Sequence, residues 1–240
     1  MLLRRRNVVL TVPVVLILLV WSGLIGLVAL LAPGLIRPRL GAIVRPWGRF
    51  ALRALGVSVE LEGREFLFSD EPRIIVFNHV SLLDIPLLAA HAPDRPLVLY
   101  KRELGRVPLI GWAFRATRMI PVEREHLERA IASLQEAGRR IRAERAAVVI
   151  SPEGTRSRDG RLGEFKLGTF HLARTTGVPI VPLVMHGIPK VLPHGAWIAR
   201  PGTVRLVAHP PIPTEGWSAE RVREYARELR ALYLAELGED

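Results

Sequence analysis

Apolar positions along this chain change their spacing twice. Val8 to Ala32 reads VVLTVPVVLILLVWSGLIGLVALLA, 25 residues without a charge. About 20 apolar residues are enough to cross the hydrocarbon core of a bilayer. Leu40 to Leu55 then mixes apolar residues with arginines and Trp47, the pattern of a helix lying in the headgroup layer. After Gly56 the apolar runs become short and β-rich. They predict strands at Val57–Leu61, Ile74–Phe77, Leu97–Tyr100, Met119–Val122, Ala147–Ile150, Ile180–Val184 and Val204–Ala208. Helical periodicity returns in Glu125–Arg145, where Leu127, Ala130, Ile131, Leu134 and Ile141 share one side. It returns again in Ser218–Leu237, with Ser218 as N-cap and Val222, Tyr225, Leu229 and Leu232 on one stripe. Strands alternating with helices predict an α/β fold, with a mixed, largely parallel sheet flanked by helices. The organisation expected is a membrane-anchoring pair of helices over 1–56, followed by a single globular domain over 57–240.

Charge sharpens the first region. The formal net charge is +11, yet residues 1–56 hold eight arginines and no acid. The remainder is nearly balanced, which argues against a duplex-sized nucleic-acid footprint. Arginines flank the long apolar run on both sides, so the positive-inside rule picks no direction for a single span. Ser22-Gly23 and Gly26 offer places to bend. The expected arrangement is two helices dipping into one leaflet, with the body on the side of both arginine clusters, at the cytoplasmic face of the membrane. One true crossing is the alternative. A cleaved signal fits poorly, because its apolar region spans only about 7–15 residues. The absence of cysteine removes disulfides, thiolate catalysis and cysteine-ligated zinc.

Two polar motifs follow apolar strands. Asn78-His79-Val80-Ser81-Leu82-Leu83-Asp84 leaves Ile74–Phe77, and Ser151-Pro152-Glu153-Gly154-Thr155-Arg156-Ser157 leaves Ala147–Ile150. Ligands in open α/β folds gather at such carboxyl ends. Within a continuous helix His79 and Asp84 point about 140° apart, so they pair only if a turn intervenes. The plainer reading makes Asp84 the N-cap of Ile85–His91, with Pro86 in its first turn and His79 an ordinary loop residue. Ser81 reads as a turn residue, since no G-x-S-x-G elbow is present. In the second motif, Gly154 permits close backbone approach to an anion and Arg156 can grip phosphate. The plainer reading is a surface turn in which Glu153 and Arg156 pair. Between the motifs, Lys101, Arg102, Arg106, Arg115, Arg118 and Arg124 surround an apolar centre, Val107 to Phe114. The six other histidines show no metal-ligand spacing.

These motifs, in this order, resemble the 1-acyl-sn-glycerol-3-phosphate acyltransferases. The family's N-H-x-x-x-x-D matches Asn78 to Asp84, and its glycine-centred second block resembles Gly111 to Arg124. Its F-P-E-G-T-R-S matches Ser151 to Ser157, and its V-P-I-V-P is Val178 to Pro182. Two departures stand out: Ser151 replaces the usual phenylalanine, and Glu123 precedes Arg124 where aspartate is usual. The resemblance implies a glycerol-3-phosphate acyltransferase-like fold. It implies His79 as general base with Asp84 orienting it, and a phosphate site formed by Glu153, Gly154, Thr155 and Arg156 with Lys101 and Arg124. Val178–Pro182 is expected to shape the acyl-donor side. The partners implied are lysophosphatidate, acyl-CoA or acyl carrier protein, and membrane phospholipids; no metal or cofactor is required. Another lysolipid, such as lyso-ornithine lipid or lysophosphatidylglycerol, is the alternative acceptor. A hydrolase using His79 and Asp84, or a non-enzymatic binder of anionic lipid, are the competing classes.

Overall fold

The computed structural model describes residues 2–108, 110–123, 127–157, 159–196 and 198–239, with the side chains of 2–12, 15, 110 and 127 left aside. The chain begins with α1 (Leu2–Leu31), α2 (Pro33–Ile36), a 3-10 turn over Arg37–Arg39 and α3 (Leu40–Ala54). It continues with β1 (Val57–Glu62), α4 (Arg64–Leu67), β2 (Arg73–Phe77), α5 (Asp84–Ala90) and β3 (Pro96–Lys101). After a 3-10 turn over Arg102–Arg106 come α6 (Ile110–Ala116), β4 (Ile120–Val122), α7 (Leu127–Ala143) and β5 (Ala147–Ile150). The remainder is α8 (Gly168–Thr176), β6 (Ile180–His186), α9 (Ile188–Val191), β7 (Gly202–Ala208) and α10 (Val222–Leu237). Each strand read from the sequence is present.

The strands form one sheet in the order β1-β7-β6-β2-β5-β3-β4. All pairings are parallel except β6 with β7. The period of two is legible in β2: Ile75 and Phe77 enter one apolar core, and Ile74 and Val76 the other. One core is closed by Leu52 of α3, Leu83 beside α5, and Ile188 of α9. The opposite one is closed by Ile141 of α7, Phe170 of α8 and Tyr233 of α10. Burying each such aliphatic side chain is worth roughly 1.5–3 kcal/mol, and β2, covered on both faces, is buried at all five positions. The site therefore starts from a strand held on both faces and both edges.

Tyr233 ties the C-terminal helix to that strand. Its hydroxyl donates to the Val76 carbonyl at 2.6 Å and accepts the Leu183 N–H at 3.1 Å. Burial holds this phenol above its ordinary range, so it stays a donor.

Several elements differ from expectation. The bend near the amino terminus lies at Ala32-Pro33, not at Ser22–Gly26: α1 runs through to Leu31. Gly26 serves close packing instead, since a Cβ there would lie 2.9 Å from the Cα of Ala113 in α6. Gly41 and Gly48 do the same for α3, where a Cβ would meet the Pro93 carbonyl oxygen at 1.8 Å and the Ala90 nitrogen at 2.3 Å. Two arginines expected to face lipid are also turned to the body. Arg37 donates to the Ala116 carbonyl at 3.2 Å, and Arg45 to Ala92 and Asp94 at 2.9 and 2.8 Å.

Ser218 is not the N-cap of α10, which starts after Arg221; its N–H faces the Tyr225 hydroxyl at 3.4 Å. Ile131 is exposed on α7, and Ala137 and Ile141 carry the buried stripe. Residues 125 and 126, the first two expected in that helix, lie outside the described residues. The V-P-I-V-P block is core: Val178, Ile180 and Val181 are buried, with β6 clamped between β2 and β7. Pro179 alone of the block is only partly buried.

Candidate active site

β2 and β5 are parallel neighbours, so their carboxyl ends deliver both polar motifs to one place. Asn78 finishes the strand with its side chain. Its amide donates to the Met185 carbonyl at 3.0 Å and accepts the Met185 N–H at 2.8 Å, extending the ladder toward β6 by one false rung. The chain then turns through residues 79–83 before α5 begins at Asp84. That non-helical turn removes the 140° problem. His79 Nδ1 lies 2.6 Å from Asp84 Oδ2.

Asp84 does not cap α5 as the plainer reading had it. It is the first residue of α5 rather than its N-cap, and Oδ2 accepts the N–H groups of Val80 and Ser81 at 2.9 and 3.0 Å. A carboxylate in the first turn also suits the helix dipole. Its burial is complete, at 0% exposure, while the His79 side chain is 22% exposed. Donation from Nδ1–H to this carboxylate leaves the lone pair on Nε2, the tautomer a general base needs. Ser81 is structural, as read: its hydroxyl donates to the Leu192 carbonyl at 2.8 Å.

The second motif grips the peptide of His79 on both sides. Glu153 Oε1 accepts the His79 N–H at 2.7 Å, and the Ser157 N–H donates to the His79 carbonyl at 2.8 Å. Glu153 Oε2 accepts the Gly163 N–H at 2.9 Å. With 5% exposure and both oxygens on backbone donors, Glu153 does not face an incoming phosphate, contrary to its expected place in that site. Nor does it pair with Arg156. Burial pushes its carboxyl above the usual range, and neighbouring Asp84 adds to this. The two N–H bonds and the His79 ring partly offset the rise.

Gly154, at φ +71°, turns the loop outward in a conformation that favours glycine. Thr155 and Arg156 follow it, both exposed. Arg156 is one peptide from Ser157 and hence close to the His79 carbonyl. Lys101 ends β3, beside β5, and its ammonium lies 3.7 Å from Glu103. Arg124 falls outside the described residues. Arg102 pairs with Glu123 at 2.9 Å. The structure thus brings His79, Asp84, Glu153, Gly154 and Arg156 together, and gives Glu153 a bracing position that the motif alone did not signal. Lys166, outside both motifs, is held beside this loop, its N–H donating to the Pro152 carbonyl at 2.8 Å.

Comparison with known proteins agrees with this geometry. The acyltransferase family profile matches residues 58–186, just over half the chain. A 1-acyl-sn-glycerol-3-phosphate acyltransferase of Cocos nucifera is 33% identical over 192 residues, covering 80% of this chain and 62% of that one. Its counterpart from Pseudomonas aeruginosa is 31% identical over 216 residues, covering 88% and 82%. The crystal structure of the 1-acyl-sn-glycerophosphate acyltransferase PlsC from Thermotoga maritima superposes with a TM-score of 0.79 at 30% identity, over 97% of this chain and 96% of that one. A histidine held by a buried carboxylate, a cationic loop fastened to the same histidine, and these likenesses along the chain lead to one assignment: it belongs to the 1-acyl-sn-glycerol-3-phosphate acyltransferase family.

Proposed function

We propose that this chain transfers an acyl group from acyl-CoA or acyl carrier protein to the sn-2 hydroxyl of 1-acyl-sn-glycerol-3-phosphate, forming phosphatidate. The observation that carries the reading is the double hold on His79. Asp84 fixes its ring at 2.6 Å, and the loop bearing Arg156 fixes its peptide at 2.7 and 2.8 Å. In this mechanism Nε2 takes the hydroxyl proton as that oxygen bonds to the thioester carbonyl carbon. The C–S bond then breaks, and the protonated imidazole returns its proton to the departing thiolate. Asp84 stabilises the imidazolium between these steps. Arg156, with Thr155, the turn at Gly154 and Lys101, binds the phosphate. Holding that phosphate fixes the hydroxyl beside the base, the main source of rate in such a site. Neither step needs a metal or a cofactor.

The amino-terminal helices supply the lipid-facing part of this reading, with 1–56 as anchor and 57–240 as catalytic domain. Among residues with described side chains, no single helix is long and apolar enough to cross a membrane. The pair 16–31 and 33–54, bent by 115°, has the length and composition to enter one. Leu16, Val20, Leu24, Leu27 and Leu31 are exposed along α1. Such a face suits insertion into one leaflet, at the cytoplasmic surface in our reading.

The test is an acceptor panel: thiol release from acyl-CoA and from acyl carrier protein, with lysophosphatidate, lyso-ornithine lipid or lysophosphatidylglycerol. We expect release with lysophosphatidate. Release with only another lysolipid moves the head-group assignment, and fatty acid formed without any acceptor points to a hydrolase.

A further inference from the structure

We propose that Lys166 is the second cation of the phosphate site, gripping the phosphate of the lysolipid from the limb opposite Arg156. This rests on the acceptor reading above. After Arg156 the chain doubles back, and the bond from Lys166 N–H to the Pro152 carbonyl at 2.8 Å sets residue 166 beside the base of the 151–157 loop. The side chain then lies over the turn. A Cβ built on Gly154 would come within 3.1 Å of both Cδ and Nζ of Lys166, so the absence of a side chain at 154 makes room for that ammonium.

The described acids nearby are engaged elsewhere. Glu164 lies 3.3 Å from Arg230, Asp159 accepts Ser157 Oγ and the Arg161 N–H at 2.9 and 3.1 Å, and Glu153 is buried with its oxygens on backbone N–H groups. Lys166 is exposed and forms no ion pair with a described residue. An ammonium paired with no described acid, over the turn that leads to an exposed guanidinium, suits a dianion better than either cation alone.

Composition points the same way. The chain has 31 arginines and only three lysines, Lys101, Lys166 and Lys190. All three follow the carboxyl ends of parallel strands, after β3, β5 and β6, and Lys166 is the one that lies over the turn at Gly154. An ammonium is a compact point charge, whereas a guanidinium is a broad plane.

The experiment compares Lys166→Met, which keeps most of the apolar stem, with Lys166→Arg in the full chain. For Lys166→Met we expect the KM for lysophosphatidate to rise roughly 10- to 100-fold, with the KM for acyl-CoA unchanged. Inhibition by inorganic phosphate should weaken in parallel, and Lys166→Arg should fall between wild type and Lys166→Met. An unchanged KM for lysophosphatidate overturns the proposal. So does a shift confined to acyl-CoA, or an arginine variant as impaired as the methionine one. If the unsubstituted protein does not turn over lysophosphatidate, the acceptor reading fails first and this proposal with it; a Lys166→Met without effect removes only the lysine.

Discussion

The loop leaving β2 and the loop leaving β5 meet at His79 and are built in opposite ways. In the first, Asn78, Ser81 and Asp84 are all at or below 2% exposure, each bonded to backbone. In the second, burial stops at Glu153, and the residues beyond it turn out to solvent. The contrast separates two requirements. Proton transfer needs a base whose geometry does not vary, and buried, hydrogen-bonded polar groups supply that rigidity. Capturing a charged head group needs cations that stay hydrated until the ligand arrives. Glu153 is the joint between the two.

The sharpest test of the rigid half is His79→Ala against Asp84→Asn. Both should lower kcat by about 10²–10⁴. Only Asp84→Asn should also lower the melting temperature, because it disturbs the acceptor for two buried N–H groups, worth about 1–3 kcal/mol each. Equal melting temperatures in the two variants break the distinction. Glu153→Gln comes next. A single amide oxygen can serve His79 or Gly163 but not both, so kcat should fall roughly 10- to 100-fold, with little change in the KM for lysophosphatidate. Arg156→Ala should give the complementary result, a KM raised about tenfold or more with a smaller effect on kcat. Were Glu153→Gln to act mainly on KM, the joint would belong to the anion loop instead.

The smallest effect concerns pH, away from the site. Burial lowers the titration of His91 and His186 below the ordinary value of 6.5, with nearby arginines adding to it. A base whose pKa is depressed on folding contributes stability above its unfolded value, and that contribution is lost as pH falls. The melting temperature should therefore decline as pH drops below about 6.5, and His186→Gln should flatten the decline. A slope identical to wild type contradicts this.

What could be read in the sequence was local. Short, near-continuous apolar runs located the strands, because β2, β5 and β6 are buried on both faces and must be apolar. The two motifs located His79, Asp84 and Arg156 for the same reason, as polar residues stranded at the exits of buried strands. What escaped depended on partners far along the chain. Glu153 meets His79 across 74 residues, and nothing in E-G-T-R distinguishes a bracing carboxylate from a surface one. The bend at Ala32-Pro33 was misplaced because Gly26 reads as a flexible point, whereas Ala113 turns it into a contact. Pro182 sits within β6, inside the run predicted as a strand, and its carbonyl accepts the His209 N–H at 2.9 Å.

The hydroxyl of Tyr233 joins Val76 across 157 residues, which gives the site a birth order. At ribosomal speeds of about 5–20 residues per second, roughly 8–30 s separate the emergence of Val76 from that of the tyrosine that fastens it. Until then the strand carrying the base waits without its last clasp, its carbonyl at Val76 lacking the donor that the finished protein gives it.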